Sequence, residues 1–257
     1  MTDAKTAVAH KPIWLDLSSG DAAGSRDFYA KLFGWKVEVN PDPLYGGYAL
    51  ATIGGKNVAG IGPKAMAEAP TAWNVYIGTP DAAESVKKTK AAGGNVIVEP
   101  MAVGNQGTMV VIQDPSGAFL GLWQPDAMAG ADLINVANTF SWAELSARGL
   151  DKAKPFYKSV FGWGEKTSDM GEGMQYTEFL LAGESIAGSM EMNPMVPEQV
   201  PSYWMPYFEV DDVDNSLAKA KSLGATEMMG ATEFNGGRFA IVTDPQGATL
   251  GLLKQKS

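Results

Sequence analysis

Phe28-Tyr29-Ala30-Lys31-Leu32-Phe33-Gly34-Trp35 returns 128 residues later as Phe156-Tyr157-Lys158-Ser159-Val160-Phe161-Gly162-Trp163 (28 to 156). A second marker, Asp114-Pro115-Ser116-Gly117 followed by Leu120-Gly121-Leu122, returns 130 residues on as Asp244-Pro245-Gln246-Gly247 followed by Leu250-Gly251-Leu252 (114 to 244). Self-similarity at half the length of a 257-residue chain dictates two copies of one ordinary-sized domain rather than a single large core.

Within each copy a shorter pattern repeats. Ile13, Leu15 and Leu17 alternate with Trp14 and Asp16, which predicts a strand with one buried side and a second side facing something else. Asp21 then caps a helix that carries Phe28, Tyr29, Leu32 and Phe33 and stops at Gly34. Trp35–Val39, Tyr48–Ile53 and Asn57–Ile61 read as three short strands between Pro, Gly and Asn clusters. The pattern restarts at Trp73–Ile77, with Asp81 capping a helix through Ala92 and strands at Asn95–Val98, Met109–Gln113 and Ala118–Trp123. Asp114-Pro115-Ser116-Gly117 suits a type I turn joining the last two. The expected fold is α+β, four βαβββ units in two domains: 11–125 (units 11–62 and 71–124) and 139–255 (units 139–192 and 202–254), joined by a linker at 126–138.

Charge and composition narrow the partners. A net charge of −9 with no basic run disfavours nucleic acid, which needs clustered Lys and Arg. The absence of Cys removes disulfides, thiolate ligands and a cysteine nucleophile. No stretch resembles a signal peptide or a membrane span, so a cytoplasmic protein with a small-molecule partner is expected. Four units in one chain can satisfy their pairing internally, which predicts a monomer.

The ordered set of opening strand, Phe-Tyr…Phe-Gly-Trp helix end and closing Asp-Pro-x-Gly hairpin, occurring twice, resembles the glyoxalase / bleomycin-resistance / extradiol-dioxygenase superfamily, also called vicinal oxygen chelate. The resemblance implies two glyoxalase-like domains whose curved sheets enclose cups. It also implies a metal held by His or Gln on first strands and Glu on last strands. Counting from the helix caps puts the first-strand positions on Trp14, Asn74, Trp142 and Met205. The last-strand positions fall on Gly121 and Gly251, with Gly60 and Gly188 as counterparts in the other two units. None of these is a metal ligand of ordinary strength, and the chain's one histidine, His10, lies before the repeat, where it reads as a tail residue.

No metal and no cofactor are therefore expected. Indoles facing bare glycine suggest an aromatic wall with space opposite, suited to a planar or apolar small molecule. The expected ligand-binding set is Trp14, Asp16, Asn74, Tyr76, Gly121, Trp142, Glu144, Met205, Tyr207 and Gly251. Two alternatives stay open: a metal-dependent lyase or dioxygenase with ligands elsewhere, and a metal-independent lyase or isomerase with Asp16 or Glu144 as catalytic base. Asp16 against Glu144, and Asn74 against Met205, predict two inequivalent cups.

Overall fold

Alternation in the opening strand becomes burial in the fold: along β1 (Pro12–Ser19), Leu15, Leu17 and Ser19 are buried, while Asp16 and Ser18 on the opposite face stay half-open. The computed structural model describes residues 9–171 and 173–256. Each of four successive units in it is a strand, a helix and three strands. The first contains β1, α1 (Ala22–Phe33), β2 (Lys36–Val39), β3 (Ala49–Ile53) and β4 (Lys56–Pro63); the second, β5 (Ala72–Gly78), α2 (Ala82–Ala91), β6 (Asn95–Val103), β7 (Gly107–Gln113) and β8 (Phe119–Pro125). The third contains β9 (Phe140–Ala147), α3 (Leu150–Phe161), β10 (Gly164–Gly171), β11 (Met174–Leu181) and β12 (Glu184–Glu191); the fourth, β13 (Tyr203–Glu209), α4 (Val213–Ser222), β14 (Thr226–Phe234), β15 (Gly237–Thr243) and β16 (Thr249–Gln255). Strands β1–β8 belong to one sheet and β9–β16 to another. This is the α+β arrangement of four βαβββ units expected from the sequence.

In every unit the helix carries the chain back so that its opening strand lies parallel to its closing strand, and the other strands form an antiparallel meander. The caps are those the sequence calls for. Asp21 accepts from the Gly24 amide at 2.9 Å, Asp81 from the Glu84 amide at 2.9 Å, and Gly34 ends α1 at φ 72°. α3 differs, because its first residue comes after Gly149, which has no side chain to cap with. Glu191 supplies the missing acceptor from β12, taking the Gly149 and Leu150 amides at 2.7 and 2.8 Å. Strand β6 runs to Val103 rather than stopping at Val98; the register shift between Val98 and Met101 absorbs Pro100, which has no amide to donate.

The chain forms two compact units, and each draws on both halves of the sequence. One comprises Trp14–Asn74, Ala131–Ser141 and the described residues from Met205 onward. In it Tyr29 donates to buried Asp244 at 2.8 Å and accepts from the Trp73 indole at 2.9 Å, inside a cluster with Phe33, Trp35 and Phe208. The other comprises the described residues up to Ile13, Val75–Gly130 and Trp142–Trp204. There Tyr157 donates to buried Asp114 at 2.7 Å and accepts from Trp204 at 2.9 Å, beside Phe161, Trp163 and Phe179. The two repeated sequence markers are thus partners: the tyrosine of one copy's helix seats on the aspartate of the other copy's Asp-Pro-x-Gly turn.

His10 is not a tail residue. Its amide donates to Gly78 at 2.7 Å, its carbonyl accepts from the Trp163 indole at 2.8 Å, and its φ is 61°. Asn138, 128 residues on, repeats the device: φ 66°, amide to Glu209 at 2.7 Å, carbonyl taking the Trp35 indole at 2.8 Å. The duplication therefore starts earlier than the first strand suggests. Among the described residues no helix is long and apolar enough to cross a membrane.

Candidate functional site

Strand register decides which side chains stand beside the four last-strand glycines. The parallel pairings set Asp16 opposite Gly60, Tyr76 opposite Gly121, Glu144 opposite Gly188 and Tyr207 opposite Gly251. The positions counted from the helix caps, Trp14, Asn74, Trp142 and Met205, lie two residues before these partners, on the same face of each strand. A helix cap fixes where a helix begins; the offset between two strands is fixed by their own ladder.

The space expected above these glycines is filled by the chain's own tyrosines. A Cβ at Gly60 would lie 3.0 Å from Tyr48 Cε1 and closer still to its Cζ and hydroxyl, and one at Gly188 would fall on the Tyr176 hydroxyl. A Cβ at Gly121 would sit 2.7 Å from Tyr76 Cγ, and one at Gly251 would sit 2.6 Å from Tyr207 Cγ, each nearer to other ring atoms. Carbon atoms in contact keep about 3.5–4.0 Å, so only glycine fits under each ring. Tyr76 and Tyr207 are buried as parts of these stacks; Tyr76 OH lies 3.6 Å from Met109 Sδ, and Tyr207 meets Phe239 edge-on at 6.2 Å.

Tyr48 heads a polar group on the half-open face of β1. The Trp14 indole donates to Tyr48 OH at 3.1 Å, and Tyr48 in turn donates to Asp16 Oδ2 at 3.4 Å. Asn74 Nδ2 donates to Asp16 Oδ1 at 2.8 Å and to Ser18 Oγ at 3.0 Å. Burial of its phenol end, reinforced by the Asp16 charge, holds Tyr48 well above the ordinary tyrosine range, so it is a neutral donor. Trp14 itself is only 4% exposed, a support for Tyr48 rather than an open wall.

The other compact unit carries the counterpart. The Trp142 indole donates to Tyr176 OH at 2.9 Å, and Tyr176 hydrogen-bonds Glu144. Burial first and the Glu144 charge second push the Tyr176 phenol upward. A further phenol joins here: Tyr203 hydrogen-bonds Ser146 and feels the Glu144 charge, and its own pKa is raised chiefly by burial. Trp142, Glu144, Ser146 and Tyr203 are all half-open. At the place of Tyr203 the first half has Ala72, by the same 131-residue shift that relates Asn74 to Met205 (72 to 203).

Of the predicted site residues, Trp14, Asp16 and Asn74 come together in one unit, and Trp142 and Glu144 in the other. Met205 is buried at 4% exposure, and Gly121 and Gly251 are floors beneath tyrosines. The sequence reading missed Tyr48, Tyr176, Ser18, Ser146 and Tyr203. A signal for the first two was present, because Tyr48 and Tyr176 are 128 residues apart and each precedes its glycine by the same interval (48 to 60, 176 to 188).

These residues do not fit a transition metal. Such an ion needs three or more converging imidazole, thiolate or carboxylate donors. Here the Asp16 group holds one carboxylate and the Glu144 group two, Glu144 and Glu178, among phenol, indole and hydroxyl groups, and among the described residues no three His, Cys, Asp or Glu gather. Two surface grooves, of about 420 and 370 Å³, lie elsewhere, one along α3 at Lys154 and Lys158, the other at the end of α1 by Gly34 and Lys219.

Comparison with known proteins gives the same family that the markers suggest. A family model described as the Glyoxalase/Bleomycin resistance protein/Dioxygenase superfamily matches twice, at residues 11–122 and 139–252. CFP32 of Mycobacterium tuberculosis, a provisionally named glyoxylase, is 38% identical over 248 residues, covering 95% of this chain and 94% of its own. The anthracycline biosynthesis protein DnrV of Streptomyces peucetius is 33% identical over 257 residues, covering 95% and 92%. Among solved structures, the Mn(II)-bound glyoxalase from Novosphingobium aromaticivorans superposes with a TM-score of 0.66 over 96% of this chain and 82% of its own, at 17% identity, a likeness of fold.

Proposed function

The chain belongs to the Glyoxalase/Bleomycin resistance protein/Dioxygenase superfamily, and from that premise we propose that it binds a small aromatic or apolar compound without a metal ion. The observation that carries this reading is the tyrosine over each last-strand glycine, which occupies the ground where the family resemblance would put a metal-binding glutamate. What these faces offer a ligand is partly open ring surface together with a carboxylate: Tyr48, Asp16 and Asn74 in one unit, Trp142, Glu144 and Tyr203 in the other. Rings bind flat apolar surface, and the carboxylate orients a ligand that donates a hydrogen bond. The name of the Streptomyces relative supports the class, since an anthracycline is a fused-ring aromatic compound. A cytoplasmic monomer that binds neither nucleic acid nor membrane completes the proposal, supported by the net charge of −9.

The test is a fluorescence titration of the protein in excess EDTA against flat hydroxylated aromatics such as hydroxyanthraquinones. Saturable quenching that persists in EDTA and weakens about tenfold in Trp142→Ala is expected. Binding that requires added metal, or affinity unchanged in both Trp14→Ala and Trp142→Ala, contradicts the reading.

A further inference from the structure

Each half of the chain has a segment that must cross the end of its opening strand. β1 lies between β4 and β5, and β9 between β12 and β13, so residues 64–71 pass over the end of β1 and residues 192–202 over the end of β9. Both crossings are tied down at the same two places. The Lys64 amide donates to the Ser19 carbonyl at 3.1 Å and the Met192 amide to the Ala147 carbonyl at 2.8 Å. At the far end the Gly20 amide donates to Thr71 Oγ1 at 3.1 Å and the Arg148 amide to Ser202 Oγ at 2.9 Å. Between these ties each segment keeps its own turns. The Ala69 amide meets the Met66 carbonyl at 3.2 Å in one; Val196 meets Asn193 at 2.9 Å and Val200 meets Pro197 at 3.0 Å in the other. The crests carry Met66 at 64% exposure and Met195 at 90%, so apolar packing does not pin them there.

One cation binds each crest, and the two halves supply it from different places. Where the alternation of Asp16 and Ser18 continues, position 20 is a glycine, and a Cβ there would meet Lys64 Cε at 3.4 Å and Nζ at 3.5 Å. That ammonium donates to the Ala67 and Ala69 carbonyls at 2.7 Å each. Where the alternation of Glu144 and Ser146 continues, position 148 is an arginine. Its guanidinium donates to the carbonyls of Val196 at 2.8 Å, Pro197 at 2.7 Å and Val200 at 3.2 Å. A segment residue in one half and a strand residue in the other thus set a positive group at the end of the half-open face, bonded to the crest. We propose that residues 64–71 and 192–202 are straps, latched shut by Lys64 and Arg148, whose crests swing away from the sheet to admit and release the small molecule bound on the neighbouring face. Bonds from a cation to carbonyls exchange for bonds to water at modest net cost, so such a latch opens locally without unfolding the sheet. The inference rests on the binding reading only for what passes beneath the straps.

Two measurements test this. Endoproteinase Glu-C cuts after glutamate and finds exposed Glu68 in one strap and exposed Glu198 in the other, the cut sites being identified by mass spectrometry. Cleavage of a segment that opens and closes faster than it is cut follows its open population. Arg148→Met keeps a long stem without the donors, and should speed cleavage after Glu198 by about tenfold or more while leaving Glu68 unchanged; Lys64→Met should do the converse. Arg148→Lys should restore most of the protection, because an ammonium serves in the other half. The second measurement is stopped-flow fluorescence of 1,4-dihydroxyanthraquinone binding in EDTA. In at least one of the two Met variants association and dissociation should both speed by about tenfold while their ratio changes little. Cleavage that rises at both glutamates alike, as global unfolding would give, or at neither, overturns the latches. Probe rates unchanged while cleavage responds overturn the gate and leave the binding reading standing. A probe that quenches no protein contradicts the binding reading, and the gate with it, while cleavage still judges the latches.

Discussion

Gly251→Ala tests whether the last-strand glycines exist to seat tyrosines. The new Cβ would lie 2.6 Å from Tyr207 Cγ and nearer to two other ring atoms, so the ring must retreat by at least about 1 Å to regain an ordinary carbon contact. Tyr207 is 6% exposed and packed against Phe239, so it has little room to move. Overpacking of this sort costs about 1–3 kcal/mol, against which alanine gains about 0.5–1 kcal/mol over glycine in an unhindered strand. The net expectation is a loss of about 1–2 kcal/mol, a fall of about 5 °C in Tm for a chain of this size. In a Tyr207→Ala background nothing obstructs the methyl, and the same substitution should raise stability by about 0.5–1 kcal/mol. The coupling between the two sites is then about 2 kcal/mol, measurable by urea unfolding of the four proteins in a double-mutant cycle. Equal effects of Gly251→Ala in both backgrounds would refute the seating argument.

Three further outcomes rest on the same kind of packing. Glu191→Ala removes the carboxylate that accepts the Gly149 and Leu150 amides at the start of α3 and should cost about 1 kcal/mol in urea unfolding, whereas Glu191→Gln should recover part of it. Tyr29, Tyr48, Tyr157 and Tyr176 are held protonated in the fold, mainly by burial. Their folded pKa values lie above the unfolded value of about 10, so their contribution is complete below about pH 10 and is lost as pH rises beyond it. Each buried phenol removes about 1.4 kcal/mol per pH unit there, and absorbance at 295 nm should rise together with loss of circular dichroism; phenolate absorbance at full amplitude with the fold intact would contradict the burial. His10, lowered first by burial and second by Lys88, should titrate in NMR with a midpoint below 6.5 and return to an ordinary midpoint on unfolding.

Elements ruled by local chemistry were legible in the sequence. Asp21 and Asp81 each cap the helix immediately after them, Gly34 ends the helix immediately before it, and the Ile13, Leu15, Leu17 alternation named the buried side of β1 before any fold was known. The duplication and the family came from markers that could be counted. The site was legible only as a face. Asp16 and Glu144 were found because they alternate with core residues, but their neighbours across the sheet depend on strand register, which no count from a helix cap can supply. Tyr48 and Tyr176 lie a strand away from the glycines they cover, and glycine alone does not disclose whether the room it leaves is empty. The interleaving of the halves into compact units turns on Tyr29 reaching Asp244 and Tyr157 reaching Asp114, contacts between residues far apart in the chain that only packing can select.

The central claim is that tyrosines stand where metal ligands would, and its most direct test is the metal stoichiometry of the purified protein by mass spectrometry, together with titration by Mn(II), Ni(II) and Zn(II) while ligand binding is monitored. The account predicts well under one equivalent of any transition metal, no saturable metal binding at the Tyr48 and Tyr176 faces, and aromatic-ligand affinity indifferent to chelation. One tightly held ion per half, lost together with ligand binding on chelation, would contradict it.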